Sequence, residues 1–168
     1  KWLALQENKE AKAPIDFGTQ VYERYKDVCP EEVAVSYTVR DTISRDNSTR
    51  SASHGVHSIK KSHQQERRLK EIGNSGELLV YNYLCSKYVE VEPCSEAFVQ
   101  MGIKTAGQAT SGGYDMSYKD GDKTIYVEVK TGEGNRIYLS PGELAFAREH
   151  ADCYRVYYVT GLNTDNPR

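Results

Sequence analysis

The chain has 168 residues and a mass of 19.0 kDa, enough for one domain with an appendage; 38% hydrophobic and 27% charged residues give it a globular composition on the polar side. A formal net charge of −2 and a pI near 6.1 exclude an overall basic field, while leaving room for a local phosphate-contacting patch. No apolar run approaches the ~20 residues that span a bilayer, and the opening KWLALQENKEAKAP lacks a signal-peptide pattern, so an intracellular location, nuclear or cytoplasmic, and no membrane partner are expected.

Residues 1–13 have helical composition, with Trp2, Leu3 and Leu5 on a loosely amphipathic pattern that stops before Pro14. The start at Lys1 is read as that of a piece of a longer protein. EEVAVSYTV (31–39) alternates Val33, Val35, Tyr37 and Val39, as a strand does, or a segment that docks on a sheet edge or a partner chain. A polar, aperiodic stretch at about 40–58 reads as a flexible linker. Its His54 and His57 are solvated rather than metal ligands on this reading, and the glycosylation triplet at Asn47 is set aside. Residues 1–65 are therefore expected to be an N-terminal extension with too few apolar residues for a core, followed by a domain at 66–168.

SIKKSHQQERRLKEIG (58–73) predicts a basic helix, either a solvated face or a phosphate-contacting arm. NSGELLVYNYLCSKY (74–88) predicts a second, mostly buried helix, and YVEVEP (88–93) a strand that ends at proline. A Gly/Ser/Ala-rich stretch with a short helix near 96–101 leads into a hairpin over 113–130. LSPGELAFAREH then supplies a full helix start: Ser140 at the N-cap, Pro141 at N1, Glu143 completing a capping box, and Leu139 and Leu144 at the staple positions. CYRVYYVTG (153–161) is a Tyr/Val-rich strand. The order helix, strand, strand, strand, helix, strand predicts an α/β fold with a mixed central sheet. Cys29, Cys85, Cys94 and Cys153 show no metal-ligand spacing and read as free buried thiols.

The hairpin SGGYDMSYKDGDKTIYVEVKTG (111–132) should turn an apolar face inward, yet Asp115, Glu128 and Lys130 interrupt it. Asp-Gly is a strong two-residue loop signal. With Asp120-Gly121 as the loop, Asp115 lies opposite Tyr126 and diagonal to Glu128, at the ~7–8 Å typical of diagonal neighbours. Asp115, Glu128 and Lys130 then share one face. Carboxylates so close repel unless one protonates or a cation joins them, and oxygen donors with open water positions suit Mg²⁺ or Mn²⁺. Lys130 would orient or deprotonate a water beside that ion, or neutralise an oxyanion on phosphorus. Gly112 and Gly113 leave room for a backbone or a phosphate to approach. Each residue alone is commonplace at a turn or sheet edge; all three on one face, behind a helix that carries Gly76-Glu77, are not.

Gly76-Glu77, Gly113-Tyr114-Asp115 and Glu128-Val129-Lys130, in this element order, resemble the PD-(D/E)XK nuclease superfamily, which includes restriction endonucleases. Over roughly residues 66–162 the chain is similar more narrowly to the NO VEIN C-terminal-type domain, found at the end of larger proteins with ATPase or helicase modules. The resemblance implies a restriction-endonuclease-like core (α-β-β-β-α-β) that hydrolyses phosphodiester bonds of nucleic acid, DNA rather than RNA, with Mg²⁺ or Mn²⁺ as cofactor. It also implies that Asp115, Glu128 and the Val129 carbonyl bind the metal, that Lys130 is the catalytic lysine, and that Glu77 assists with metal or water. Tyr114 stands where the superfamily's nominal motif has proline. Related domains also persist without activity, so the alternative is a binding module for nucleic acid or protein, with residues 1–65 as a protein contact.

Overall fold

The computed structural model describes residues 17–30, 32, 63–109, 112–134, 136–162 and 167–168. Its elements in chain order are α1 (Phe17–Tyr25), α2 (His63–Lys87), β1 (Val91–Pro93), α3 (Glu96–Gln100), β2 (Met116–Asp120), β3 (Lys123–Thr131), α4 (Pro141–Glu149) and β4 (Tyr154–Val159). From α2 onward this is the expected order, with α3 as the short helix expected near 96–101, between the first two strands. The helix expected over 1–13, the linker and its histidines, and all of the 31–39 strand except Glu32 lie outside the described residues.

The hairpin is the middle of the sheet, because β-branched and aromatic residues dominate KTIYVEVKT and its odd positions Ile125, Val127 and Val129 are all buried. β2 pairs with β3 antiparallel, and β1 extends the sheet on the far side of β2. β4 lies parallel to β3 after the crossover through α4, so the sheet is mixed in the order β1-β2-β3-β4. The core forms where α2 packs on the sheet: Leu78, Leu79 and Leu84 meet Phe98, Met116 and Val127. No helix among the described residues is long and apolar enough to cross a membrane.

Two sequence readings change. The helices expected at 58–73 and 74–88 are one helix, α2. Asn74 and Ser75, which looked like caps, are buried within it: the Ser75 hydroxyl donates to the Glu71 carbonyl (2.7 Å) one turn back, and the Asn74 amide donates to Gln100 (3.1 Å). The loop of the hairpin is Gly121-Asp122 rather than Asp120-Gly121, because Asp120 pairs with Lys123. Gly121 alone takes positive φ (+60°), which suits a turn with glycine at its first central position; an Asp120-Gly121 loop would have forced aspartate there too. Tyr126 consequently pairs with Ser117, not with Asp115.

Helix α1 had no sequence signal beyond a short FGTQVYERY, yet Val21 is 2% exposed within the common core. At Gly18 a Cβ would stand 1.8 Å from the Gln100 carbonyl oxygen, so α1 and the end of α3 touch backbone to backbone. This part of the N-terminal extension is packed with the domain. Of the four cysteines, none in a disulfide, only Cys94 is buried; Cys29 and Cys85 are exposed, contrary to the expectation of buried thiols.

A second close approach sets the site. A Cβ on Gly76 would lie 2.1 Å from the Thr131 hydroxyl and 3.3 Å from its Cβ, so α2 reaches the end of β3 only because residue 76 has no side chain. Gly76→Ala gains roughly 1 kcal/mol of helix propensity but meets an overlap of the kind that costs about 1–3 kcal/mol. The expected outcome is a lower thermal midpoint. Adding Thr131→Ala removes the closer contact and should restore it; a double variant as unstable as the single one would show that the contact is not the cause.

Candidate active site

Four side chains, from α2, from β3 and from the residue before β2, gather at one end of the sheet. Glu77 arrives from α2, one residue after the glycine that lets the helix approach, and accepts a hydrogen bond from the Ser95 hydroxyl. Ser95 occupies the N-cap position of α3 without capping it, its hydroxyl being given to Glu77 instead. Asp115, just before β2, is fixed by its backbone: its amide donates to the Val127 carbonyl (2.8 Å), and its carbonyl accepts from Cys94 (2.8 Å) and Ser95 (3.0 Å). Its Oδ2 accepts from the Val129 amide at 2.8 Å, so the main-chain group of Val129 that meets Asp115 is its N–H.

Glu128 and Lys130 come from β3. Glu128 is 4% exposed, and its Oε1 lies 2.7 Å from the Lys130 ammonium. The same ammonium is 2.9 Å from Glu143 Oε2 in the first turn of α4. The capping box read from the sequence is present: Ser140 Oγ accepts from the Glu143 amide (3.3 Å), and Glu143 Oε2 accepts from the Ser140 amide (2.8 Å). None of the residues of α4 is buried; rings hold it, with Phe146 5.1 Å from both Tyr114 and Tyr126 and stacked on His150 at 4.0 Å. Gly113 (φ +83°) lets α4 approach closely, because a Cβ there would stand 2.9 Å from Phe146 Cβ, and it also lines the cleft. A cleft of about 540 Å³ remains, lined by Ser95, Glu96, Asp115, Glu128, Gly142 and Glu143 among others.

The charges here are strained by burial. Burial, and then the neighbouring Asp115 charge, push Glu77 and Glu128 up to about 8 from an ordinary 4.5. Burial raises Asp115 to about 6 from 3.8, against the pull of its bond to the Val129 amide. Burial would lower Lys130, but its bonds to Glu128 and Glu143 outweigh that and raise it. Burial would raise Glu143, but Lys130 and the Ser140 amide outweigh that and lower it.

A pH dependence follows. Between roughly pH 4 and 8 the folded protein holds protons on these carboxylates that the unfolded chain has released, so their contribution to stability is complete in acid and lost as pH rises through about 6 to 8. With chelator present, the thermal midpoint is expected to fall by several degrees between about pH 5.5 and pH 8.5. A flat midpoint across that window would mean that the folded protein does not oppose ionisation of these carboxylates.

Glu77, Asp115, Glu128 and Lys130 are thus near neighbours. Sequence reasoning missed Ser95, which carried no signal beyond its place before a short helix, and saw Glu143 only as a capping residue. The donors are all oxygen, which is the chemistry of a hard divalent ion. Among the described residues no group of three or more His, Cys, Asp or Glu side chains stands in a metal-holding arrangement: Glu128 is turned to Lys130, Glu77 to Ser95, and one Asp115 oxygen to Val129.

Residues 76–168 match the family model described as Protein NO VEIN, C-terminal. The match starts at Gly76 and so takes in every residue of the cleft. No curated protein and no solved structure matches the chain.

Proposed function

From the premise that the chain belongs to the Protein NO VEIN, C-terminal family, we propose that its cleft is a PD-(D/E)XK-type site that hydrolyses phosphodiester bonds of nucleic acid, DNA before RNA, with Mg²⁺ or Mn²⁺. The observation that carries this reading is the gathering of Glu77, Asp115 and Glu128 near a lysine, in surroundings whose burial, and for Glu77 and Glu128 then the Asp115 charge, opposes their ionisation. A divalent cation removes that opposition, and it also answers a second problem. The walls carry Glu96, Asp115, Glu128 and Glu143, the last two paired with the single charge of Lys130, a field that repels a phosphodiester until a cation offsets it.

Asp115 and Glu128 would hold the ion, with Glu77 and the Val129 carbonyl as further oxygen donors. When bound, the ion would supply Lewis-acid charge at the phosphoryl oxygens. Lys130, paired with two carboxylates, keeps its proton, so its part is to orient water or to stabilise negative charge developing on phosphorus, rather than to take a proton. The test is a Mn²⁺ titration read by thermal stability, followed by plasmid nicking at saturation. An ion bound at 100 times its Kd stabilises by about 2.7 kcal/mol, a shift of several degrees.

A second reading has its own support. Lys130 already pairs with both Glu128 and Glu143 without any metal ion, as in a fold kept as a binding module for nucleic acid or protein. On that reading Mn²⁺ up to about 10 mM leaves the midpoint unmoved, since nothing binds the native state. Protein contact through residues 1–65 belongs to either reading.

A further inference from the structure

We infer that Glu143 is a positioning residue, the carboxylate that keeps the Lys130 ammonium in the cleft when Glu128 turns to a divalent ion. This rests on the reading above that Asp115 and Glu128 hold such an ion.

The partners of Lys130 are redundant. One ammonium lies between two carboxylates, 2.7 Å from Glu128 and 2.9 Å from Glu143. Glu128 cannot serve the lysine and an ion with the same oxygen. Once it turns away, Lys130 stands near a divalent charge that repels it, and its side chain, only 24% exposed, has little water to compensate. Glu143 is the other charge in contact with it.

Glu143 is also well placed to hold position, because it does not come from β3. Its Oε2 is tied to the Ser140 amide by the capping box, and α4 is seated by Phe146 against Tyr126 and Gly113. The carboxylate therefore keeps its place whatever Glu128 does. The plainer reading is that Glu143 only caps α4, since Ser-x-x-Glu starts are common at helix N-termini.

Substitutions separate the two roles. Glu143→Gln preserves the capping box, which accepts glutamine at this position, and removes the charge facing Lys130. Ser140→Ala weakens the cap and keeps that charge. The expected results with Mn²⁺ are that Glu143→Gln lowers kcat for nicking by about 10–100-fold, with KM and Mn²⁺ affinity within about twofold of wild type, and that Glu143→Asp recovers part of the loss. Ser140→Ala lowers the thermal midpoint but kcat by less than about threefold.

A readout independent of cleavage accompanies these: a double-mutant cycle of thermal stability between Glu143→Gln and Lys130→Met, in chelator and then in Mn²⁺. Coupling is expected in both and larger with Mn²⁺, when Glu143 alone holds the ammonium. The inference is overturned if Glu143→Gln nicks at the wild-type rate, if Ser140→Ala loses as much kcat as Glu143→Gln, or if Mn²⁺ leaves the coupling unchanged or weaker. A wild-type protein that binds no Mn²⁺ overturns the site reading first and this inference with it. Mn²⁺ binding and nicking with an indifferent Glu143→Gln overturns this inference alone.

Discussion

Lys130→Ala is expected to lower nicking at saturating Mn²⁺ by on the order of 10²–10³-fold or more while the ion still binds, because it removes a charge aimed at the reacting phosphate and no ion-holding oxygen. The experiment needs saturating metal for a reason visible in the cleft. Without the ammonium, Glu128, itself 4% exposed, loses its nearest counter-charge, and stripping one partner from a buried pair costs about 3–5 kcal/mol when both are fully enclosed. Lys130 has a partly exposed side chain, so the cost here is smaller, about 1–3 kcal/mol, and it falls on the metal-free protein. A divalent ion supplies the missing positive charge. Above about pH 8, where Glu128 is ionised, the variant should therefore be destabilised in chelator and recover in Mn²⁺, and its loss of cleavage is then not a loss of fold. Wild-type nicking by Lys130→Ala would remove the lysine from the chemistry.

The parts of this molecule that sequence made legible are those where a local rule decides. Ser140, Pro141 and Glu143 form the capping box because every partner lies within one turn. The hairpin was legible for a similar reason, even though its loop was misplaced by one residue. Moving the loop from Asp120-Gly121 to Gly121-Asp122 shifts the pairing by two, and a shift of two leaves every side chain on its original face. What the sequence concealed depends on residues distant in the chain. Gly76 matters through Thr131, and Ser95 through Glu77. Gly113 matters through Phe146, and Val21 joins the core through elements forty or more residues away. Glu143 has both kinds of role: its cap is local and legible, its pairing with Lys130 spans the crossover and is not.

Glu128→Gln should abolish stabilisation by Mn²⁺ and, in chelator at about pH 8.5, give a protein more stable than wild type by several degrees. The sign follows from the direction of the shift. Wild-type Glu128 titrates near 8 instead of 4.5 because burial and the Asp115 charge oppose its ionisation, so above pH 8 the folded protein carries that penalty in full. Glutamine has the shape of the protonated acid and never ionises, and its carbonyl oxygen can still accept from Lys130, which keeps Glu143 as a partner. Near pH 5 wild-type Glu128 is protonated as well, and the two proteins should melt together. Asp115→Asn is expected to lose Mn²⁺ stabilisation too, with a smaller gain in chelator, since Asp115 is raised only to about 6 and its bond from the Val129 amide favours the charged form. The two measurements test different things. The gain in chelator reports whether burial and the Asp115 charge oppose Glu128's ionisation, and the Mn²⁺ response reports whether a cation relieves that opposition. If Glu128→Gln gains stability at high pH yet Mn²⁺ stabilises it as much as wild type, the opposition is real but the ion sits elsewhere. If Mn²⁺ stabilises neither protein, Lys130 is the cation this cleft was built around, and the binding-module reading replaces the nuclease.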